Sequence, residues 1–222
     1  MFKYSLLRYV PGKLGDRFRR RFRFYSVNRR FEDALRRCRG KVCIDLGANL
    51  GVYTRKMASD AKQVIAFEPD PWTHSVLQDN VADLDNVRLE QVAAGTSEGR
   101  ILIYRHALFE EDPASRSQST SVLLYNETSL SRESAIEVRQ IDFVAFLADL
   151  DEDIGVLKVD IEGAEVDLLE ALLDRPDILR RIDHIFVETH EHAIPEHRPR
   201  VKALRERTLR LSQPPSIDLD WH

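Results

Sequence analysis

The 222-residue sequence is poor in cysteine: only Cys38 and Cys43 occur, and their C-x4-C spacing matches neither a zinc knuckle nor a redox C-x-x-C pair. This excludes a disulfide-stapled scaffold and fits reduced thiols in a reducing compartment. No run of about 18 apolar residues is present, so no membrane-spanning helix is expected. The opening stretch "MFKYSLLRYVPGKLGDRFRRRFRFYS" interrupts a short apolar patch with Lys3 and Arg8 and lacks the continuous apolar centre of a signal peptide. A cytoplasmic protein is the expectation. Low-complexity tracts are also missing, and the length suits a single domain with a sizeable core. A dinucleotide fingerprint G-x-G-x-x-G starting at Gly47 would need glycines at 49 and 52, where Asn49 and Val52 stand, so the pyrophosphate reading fails.

What is present is a lopsided charge. The net charge of -4 hides fourteen Lys/Arg against three acids in residues 1–41, a local +11 set against -15 for the remainder. Phe18, Phe22, Phe24 and Tyr25 are interleaved with these cations. Residues 1–38 therefore read as a basic helical N-terminal arm that packs on the domain, or that touches an anionic membrane at its inner face, an acidic partner or nucleic acid. Residues 39–222 read as the main domain.

Along that domain apolar runs alternate with helical patterns. "KVCIDLG" and "QVIAFEPD" are buried-type strands flanking the helix of "GVYTRKMASDA", which makes a βαβ unit. Pro71 opens a helix over 72–83, and "NVRLEQVAAG" is a third strand closed by Gly95. Residues 105–132 are polar and serine-rich, a long loop of the kind that is usually functional or disordered. "EVRQIDFVAFLADL" restores a strand and a helix with Asp142 as N-cap. A strand follows at 156–160, a helix at 164–174 stopped by Pro176, a strand in "HIFVETHE", a basic helix at 198–208 and a closing hairpin in the tail. The alternation predicts an α/β, doubly wound, mostly parallel sheet with helices on both faces.

In such sheets ligands sit at the carboxyl ends of the strands. Asp45 ends the first strand beside the G-x-x-x-G turn Gly47–Gly51, and Glu68 ends the second, where a carboxylate can accept both hydroxyls of a ribose. An acid beside a glycine turn suits a ligand with positive charge rather than phosphate, and S-adenosylmethionine carries an ammonium, a sulfonium and an adenosine. The blocks "CIDLGANLGVYT", "VIAFEPDP", "LKVDIEGAEVDLLEAL" and "FVETHE", in this order, resemble the FkbM-type family of class I S-adenosylmethionine-dependent methyltransferases, over residues 40–192. The resemblance implies a Rossmann-like, seven-stranded sheet whose last strand is antiparallel. It also implies methyl transfer to a hydroxyl oxygen, commonly on a sugar, glycan or polyketide. By position it assigns Asp45, Gly47, Asn49, Gly51 and Glu68 to the cofactor and Ala93 to the adenine, with Ala48, Tyr53, Thr54 and Pro69 completing the candidate set.

Methyl transfer from a sulfonium is an in-line displacement to which positioning contributes up to about 7–11 kcal/mol, and a base for the hydroxyl adds about 10²- to 10⁴-fold. Asp160, Glu162, Glu188 and His190 fall at strand ends where they can converge on the methyl group, and Lys158 shares a strand face with Asp160. Glu165 reads as a first-turn acid facing the helix dipole. Ser119, Thr120 and Ser121 are candidate acceptor contacts. Asp160 and Glu188 could hold Mg²⁺ with substrate oxygens, but "ETHEH" is not H-E-x-x-H, and a reaction insensitive to EDTA is expected. Two other readings stay open: a nucleic-acid methyltransferase using the basic arm, although "DIEG" stands where an Asn/Asp-Pro-Pro-aromatic block would be needed, and a non-catalytic membrane-surface or interaction module on the same fold.

Overall fold

The computed structural model describes residues 27–117, 120–123, 130–211 and 215–221. Helix α1 covers 27–37 among these. It leads into β1 (Val42–Leu46), α2 (Val52–Ala58), β2 (Gln63–Phe67), α3 (Pro71–Asn80), β3 (Val87–Glu90), β4 (Ala93–Gly95) and β5 (Gly99–His106). There follow α4 (Pro113–Arg116), β6 (Leu130–Asp142), α5 (Phe143–Asp149), β7 (Ile154–Val159), α6 (Glu165–Leu173), α7 (Pro176–Leu179), β8 (Ile182–Val187), α8 (Arg198–Thr208) and β9 (Ser216–Asp218).

Six strands form one parallel sheet in the order β3-β2-β1-β7-β8-β9. The chain winds outward in one direction from β1 and later in the other from β7, so the strand order reverses between them, which is where this class of sheet opens a ligand crevice. Every residue of β1 and β7 is buried, as expected for strands covered on both faces. The strand period of two sorts their side chains. Ile44, Leu46, Ile65, Phe67, Leu157 and Val159 join one core with α5, α6 and α8. Cys43, Val64 and Val156 join another with α1, Met57, Phe186 and Trp221. Asp45 and Lys158 share the second face and are register partners on adjacent strands.

Local signals explain the helix starts. Asp70 caps α3 by accepting from the backbone N–H groups of Trp72 and Thr73, with Pro71 in the first turn. Asp142 caps α5 through the N–H of Ala145.

The doubly wound, mostly parallel sheet is as expected, and two details differ. Among the described residues the sheet has six strands where seven were expected, and β9 runs parallel to β8: α8 is a single crossover, and the short stretch after it supplies one three-residue strand with no hairpin partner among the described residues. The "NVRLEQVAAG" strand divides. Its first part stays on β2, while Ala93–Gly95 pairs with β6 in a separate three-stranded sheet, β4-β6-β5, whose β5 and β6 run antiparallel. Residues 27–38 pack on the domain. Val27, Phe31, Ala34 and Leu35 are core residues packed with Trp221 and Phe186, so the division at residue 38 marks no break in packing. The more basic part of the arm, residues 1–26, lies outside the described residues.

Candidate active site

A cavity of about 450 Å³ opens at the carboxyl ends of β1, β2, β7 and β8, within the range of roughly 300–1,000 Å³ usual for small-molecule sites. Its floor is the turn after β1. Gly47 has φ of 73°, and a side chain there would overlap the carbonyl oxygen of Asp160, so only glycine lets the turns after β1 and β7 pass in contact. The backbone N–H groups of Gly47 and Ala48 both donate to Phe67 O, at 3.0 Å each, and that of Gly51 to Ala48 O. The N–H of Asn49 donates to Glu68 Oε2 at 2.9 Å. Protein acceptors thus occupy the donors that a phosphate-binding nest would need.

Glu68 is buried beside that turn. Each of its oxygens accepts one backbone N–H, from Asn49 and from Asp70, leaving one lone-pair direction on each for a ligand hydroxyl. Burial pushes its carboxyl up to about 7, against the pull of these two N–H donors. Gly47, Ala48, Asn49, Tyr53, Pro69 and Ala93 line the cavity. Asp45, Thr54 and Gly51 do not. Asp45 is wholly buried, accepts from Thr54 Oγ1 at 2.7 Å and lies 3.1 Å from Lys158 Nζ. Its charge therefore meets a lysine rather than a ligand, because strand register puts the two on one face. Gly51, at φ 88°, turns the chain into α2 against Leu77.

The opposite wall carries the titratable groups. Lys158, 2% exposed, donates to Gly47 O at 2.9 Å and lies 3.4 Å from Asp160 Oδ2. Its ammonium also sits over the rings of Trp221 and Tyr53, at 5.5 and 5.7 Å. Burial works against its charge, yet Asp45 and Asp160 hold its pKa above the ordinary lysine value. Glu165, fully buried, accepts the N–H groups of Ile161 and Gly163 and faces His190 Nδ1 at 2.9 Å. His190 Nε2 faces Glu162 at 3.3 Å, with Asp160 and Glu188 each at 3.9 Å. Burial alone would lower the His190 pKa, but Glu162 and Glu165 push it up to about 12, so the ring is an imidazolium at neutral pH and has no lone pair for accepting a proton. Burial, with Asp160 alongside, pushes Glu188 up to about 7. Glu162 is also raised by burial, despite His190.

Among the described residues, Asn49, Glu162 and His190 are the non-glycine residues with positive φ, at 48°, 54° and 47°. Their clustering around one crevice is the pattern expected where backbone strain is maintained for function. Asp160, Glu162 and His190 each offer one ligand atom within 4.8 Å of the others. They could hold a cation only after the His190 proton is displaced.

A roof comes from the segment after β5. Arg105 is doubly bonded to Asp70 and lies over the Phe109 ring, tying β5 to the end of β2. A bridge between Tyr104 and Ser121 brings the chain back across the crevice. Ser121 Oγ donates to Glu162 O at 2.6 Å, and Ser117 Oγ to Asn49 Oδ1 at 3.0 Å. Thr120 and Ser121 line the cavity, whereas Ser119 lies outside the described residues. Ser117, Trp221 and the organising role of Glu165 were not anticipated. Only Glu165 had a signal, its place in the D-x-E-G-x-E block.

Residues 45–211 match the model of the methyltransferase FkbM domain. The chain belongs to this family. Similar to this FkbM-domain chain is Methyltransferase 1 of Beauveria bassiana (strain ARSEF 2860), 30% identical over 162 residues, covering 65% of the chain and 63% of that protein. The 2-O-methyltransferase NoeI of Sinorhizobium fredii (strain NBRC 101917 / NGR234) is 26% identical over 136 residues, covering 58% of the chain and 56% of NoeI. The chain thus spans less than two thirds of the length of these relatives. Among solved structures, the methyltransferase FkbM from Methylobacillus flagellatus KT overlays with a TM-score of 0.45 at 13% identity, covering 75% of this chain and 37% of that one.

Proposed function

We propose that this chain is an S-adenosylmethionine-dependent O-methyltransferase acting on a hydroxyl of a sugar, glycan or other small molecule. The observation that carries the reading is the pairing of two unlike walls across one cavity: a glycine turn with Glu68 on one side and the carboxylates of the β7 and β8 ends on the other. The turn's occupied N–H groups oppose a phosphate ligand, and Glu68 retains two free lone-pair directions for a ribose. The surrounding carboxylates favour a cationic ligand. S-adenosylmethionine, when bound, supplies an electrophilic methyl group on a sulfonium.

The residues of the chain then divide the work. Glu188 lines the cavity and, with its carboxyl raised to about 7, would take the proton from the acceptor hydroxyl, while the glycine turn and Glu68 would hold S-adenosylmethionine as the methyl donor. Asp160, facing Lys158 and His190, orients the acceptor. His190 and Glu165 act as positioning residues that hold the turn 160–163 in its strained form. The family match and the relative named as a 2-O-methyltransferase support this chemistry. A nucleic-acid acceptor has no comparable support, since the wall that would meet it is acidic. No described helix is long and apolar enough to cross a membrane.

Calorimetry with S-adenosylmethionine tests the reading, and Asp160→Asn adds a second check: cofactor binding should persist while methyl transfer collapses. Wild-type protein with no affinity for S-adenosylmethionine would overturn it.

A further inference from the structure

The charged side chains that line the cavity are Glu68, Asp160, Glu162, Glu188 and Lys158, four carboxyls against one ammonium. That ammonium is committed: Gly47 O, Asp45 and Asp160 surround it, and it is almost fully buried. The next cation, His190, has one ring nitrogen facing Glu165 and the other facing Glu162, and it stands behind the cavity wall. Arg105 is engaged by Asp70. The described roof residues that line the cavity, Ser117 and Thr120–Val122, carry no charge. The remaining polar lining is neutral: Asn49, Tyr53, Ser117, Thr120 and Ser121. Thr120 Oγ1 is shut off from bulk water without a partner among the described residues, a polar atom that a bound hydroxyl can satisfy.

From this arrangement we infer that the acceptor half of the site takes an uncharged, hydroxyl-bearing group, and that it rejects acceptors with a phosphate or carboxylate beside the reacting hydroxyl. The inference rests on the methyltransferase reading and adds the electrostatic class of its substrate. An anion there would meet Asp160, Glu162 and Glu188, with the committed Lys158 as the cation among the described lining residues, and like-charge juxtaposition of this kind discriminates strongly between otherwise similar ligands. Neutral glycosyl hydroxyls meet donors and acceptors of their own kind instead.

The test is to incubate the full chain with tritiated S-adenosylmethionine and an equimolar mixture of neutral glycans, uronate-containing glycans and sugar phosphates. Each labelled residue is then identified by mass spectrometry after hydrolysis. Label on neutral sugar residues is expected, and the accepted sugar's own uronate or phosphate derivative should show kcat/KM lower by at least about 100-fold. Label placed preferentially on uronates or sugar phosphates overturns this inference and leaves the methyltransferase reading intact. No label on any acceptor, together with no binding of S-adenosylmethionine by calorimetry, overturns that reading itself, a distinct failure.

Discussion

The turns that follow β1 and β7 touch each other through Gly47 and Asp160, yet they are held in different ways. The first is fixed by its own backbone: its N–H groups reach Phe67, Glu68 and Ala48, and glycine provides the required φ. The second is fixed by side chains. Glu165 grips two backbone N–H groups and orients an imidazolium, which in turn collects three carboxyls. The backbone-fixed turn presents one shape, with the Glu68 carboxylate as the titrating group among its contacts, which suits a cofactor. A side-chain-fixed turn titrates, which suits proton transfer.

The largest effect is expected where the two turns are joined. Lys158→Met should leave Asp45 as an uncompensated buried charge and cost about 3–5 kcal/mol in stability, measured by denaturant unfolding; unfolding equal to wild type would show that the lysine does not link the walls. Next, Glu188→Gln should lower kcat by about 10²- to 10⁴-fold with cofactor affinity unchanged. In the wild type the rate should fall as pH drops below about 7, where the Glu188 carboxyl is protonated, and the variant should lose that limb of the profile. On the backbone-held side, Glu68→Gln should weaken S-adenosylmethionine by about 10- to 100-fold, the range for hydrogen bonds to a charged group, while kcat at saturation holds. Comparable losses in kcat would mean the walls do not divide the work.

The remaining effect concerns pH and stability. The folded-state pKa of His190 is raised from 6.5 to about 12, so its stabilising contribution is complete below about pH 6.5 and is lost as pH climbs from there toward about 12. His190→Gln should flatten that alkaline slope in thermal unfolding. A slope identical to wild type would place the source elsewhere.

The same contrast explains what was legible in the sequence. The backbone-fixed turn announces itself, because glycine spacing and strand-end acids are local features. Gly47, Asn49 and Glu68 could therefore be placed in the crevice without coordinates. The side-chain-fixed turn depends on register across strands more than a hundred residues apart. Asp45 was expected to face the ligand, but only the pairing of Asp45 with Lys158, after a register shift between Val42 and Cys43, shows where its charge goes. His190 was recognisable as a site residue, but its protonation depends on Glu165, a residue that alone looks like any first-turn acid. Trp221, near the far end of the sequence, reaches Lys158 because β9 returns parallel to β8, and that return was invisible in a tail that read as a hairpin.

The contact between Gly47 and Asp160 also sets how such a site can be altered. Since the two turns lie too close for even a methyl group between them, neither can be lengthened or shifted without displacing the other, and an engineer cannot retune the acceptor wall by rebuilding it. The roof is attached more loosely, through Ser117 and Ser121, so new acceptor preferences are more readily introduced there by grafting a different β5–β6 connection onto an unaltered floor.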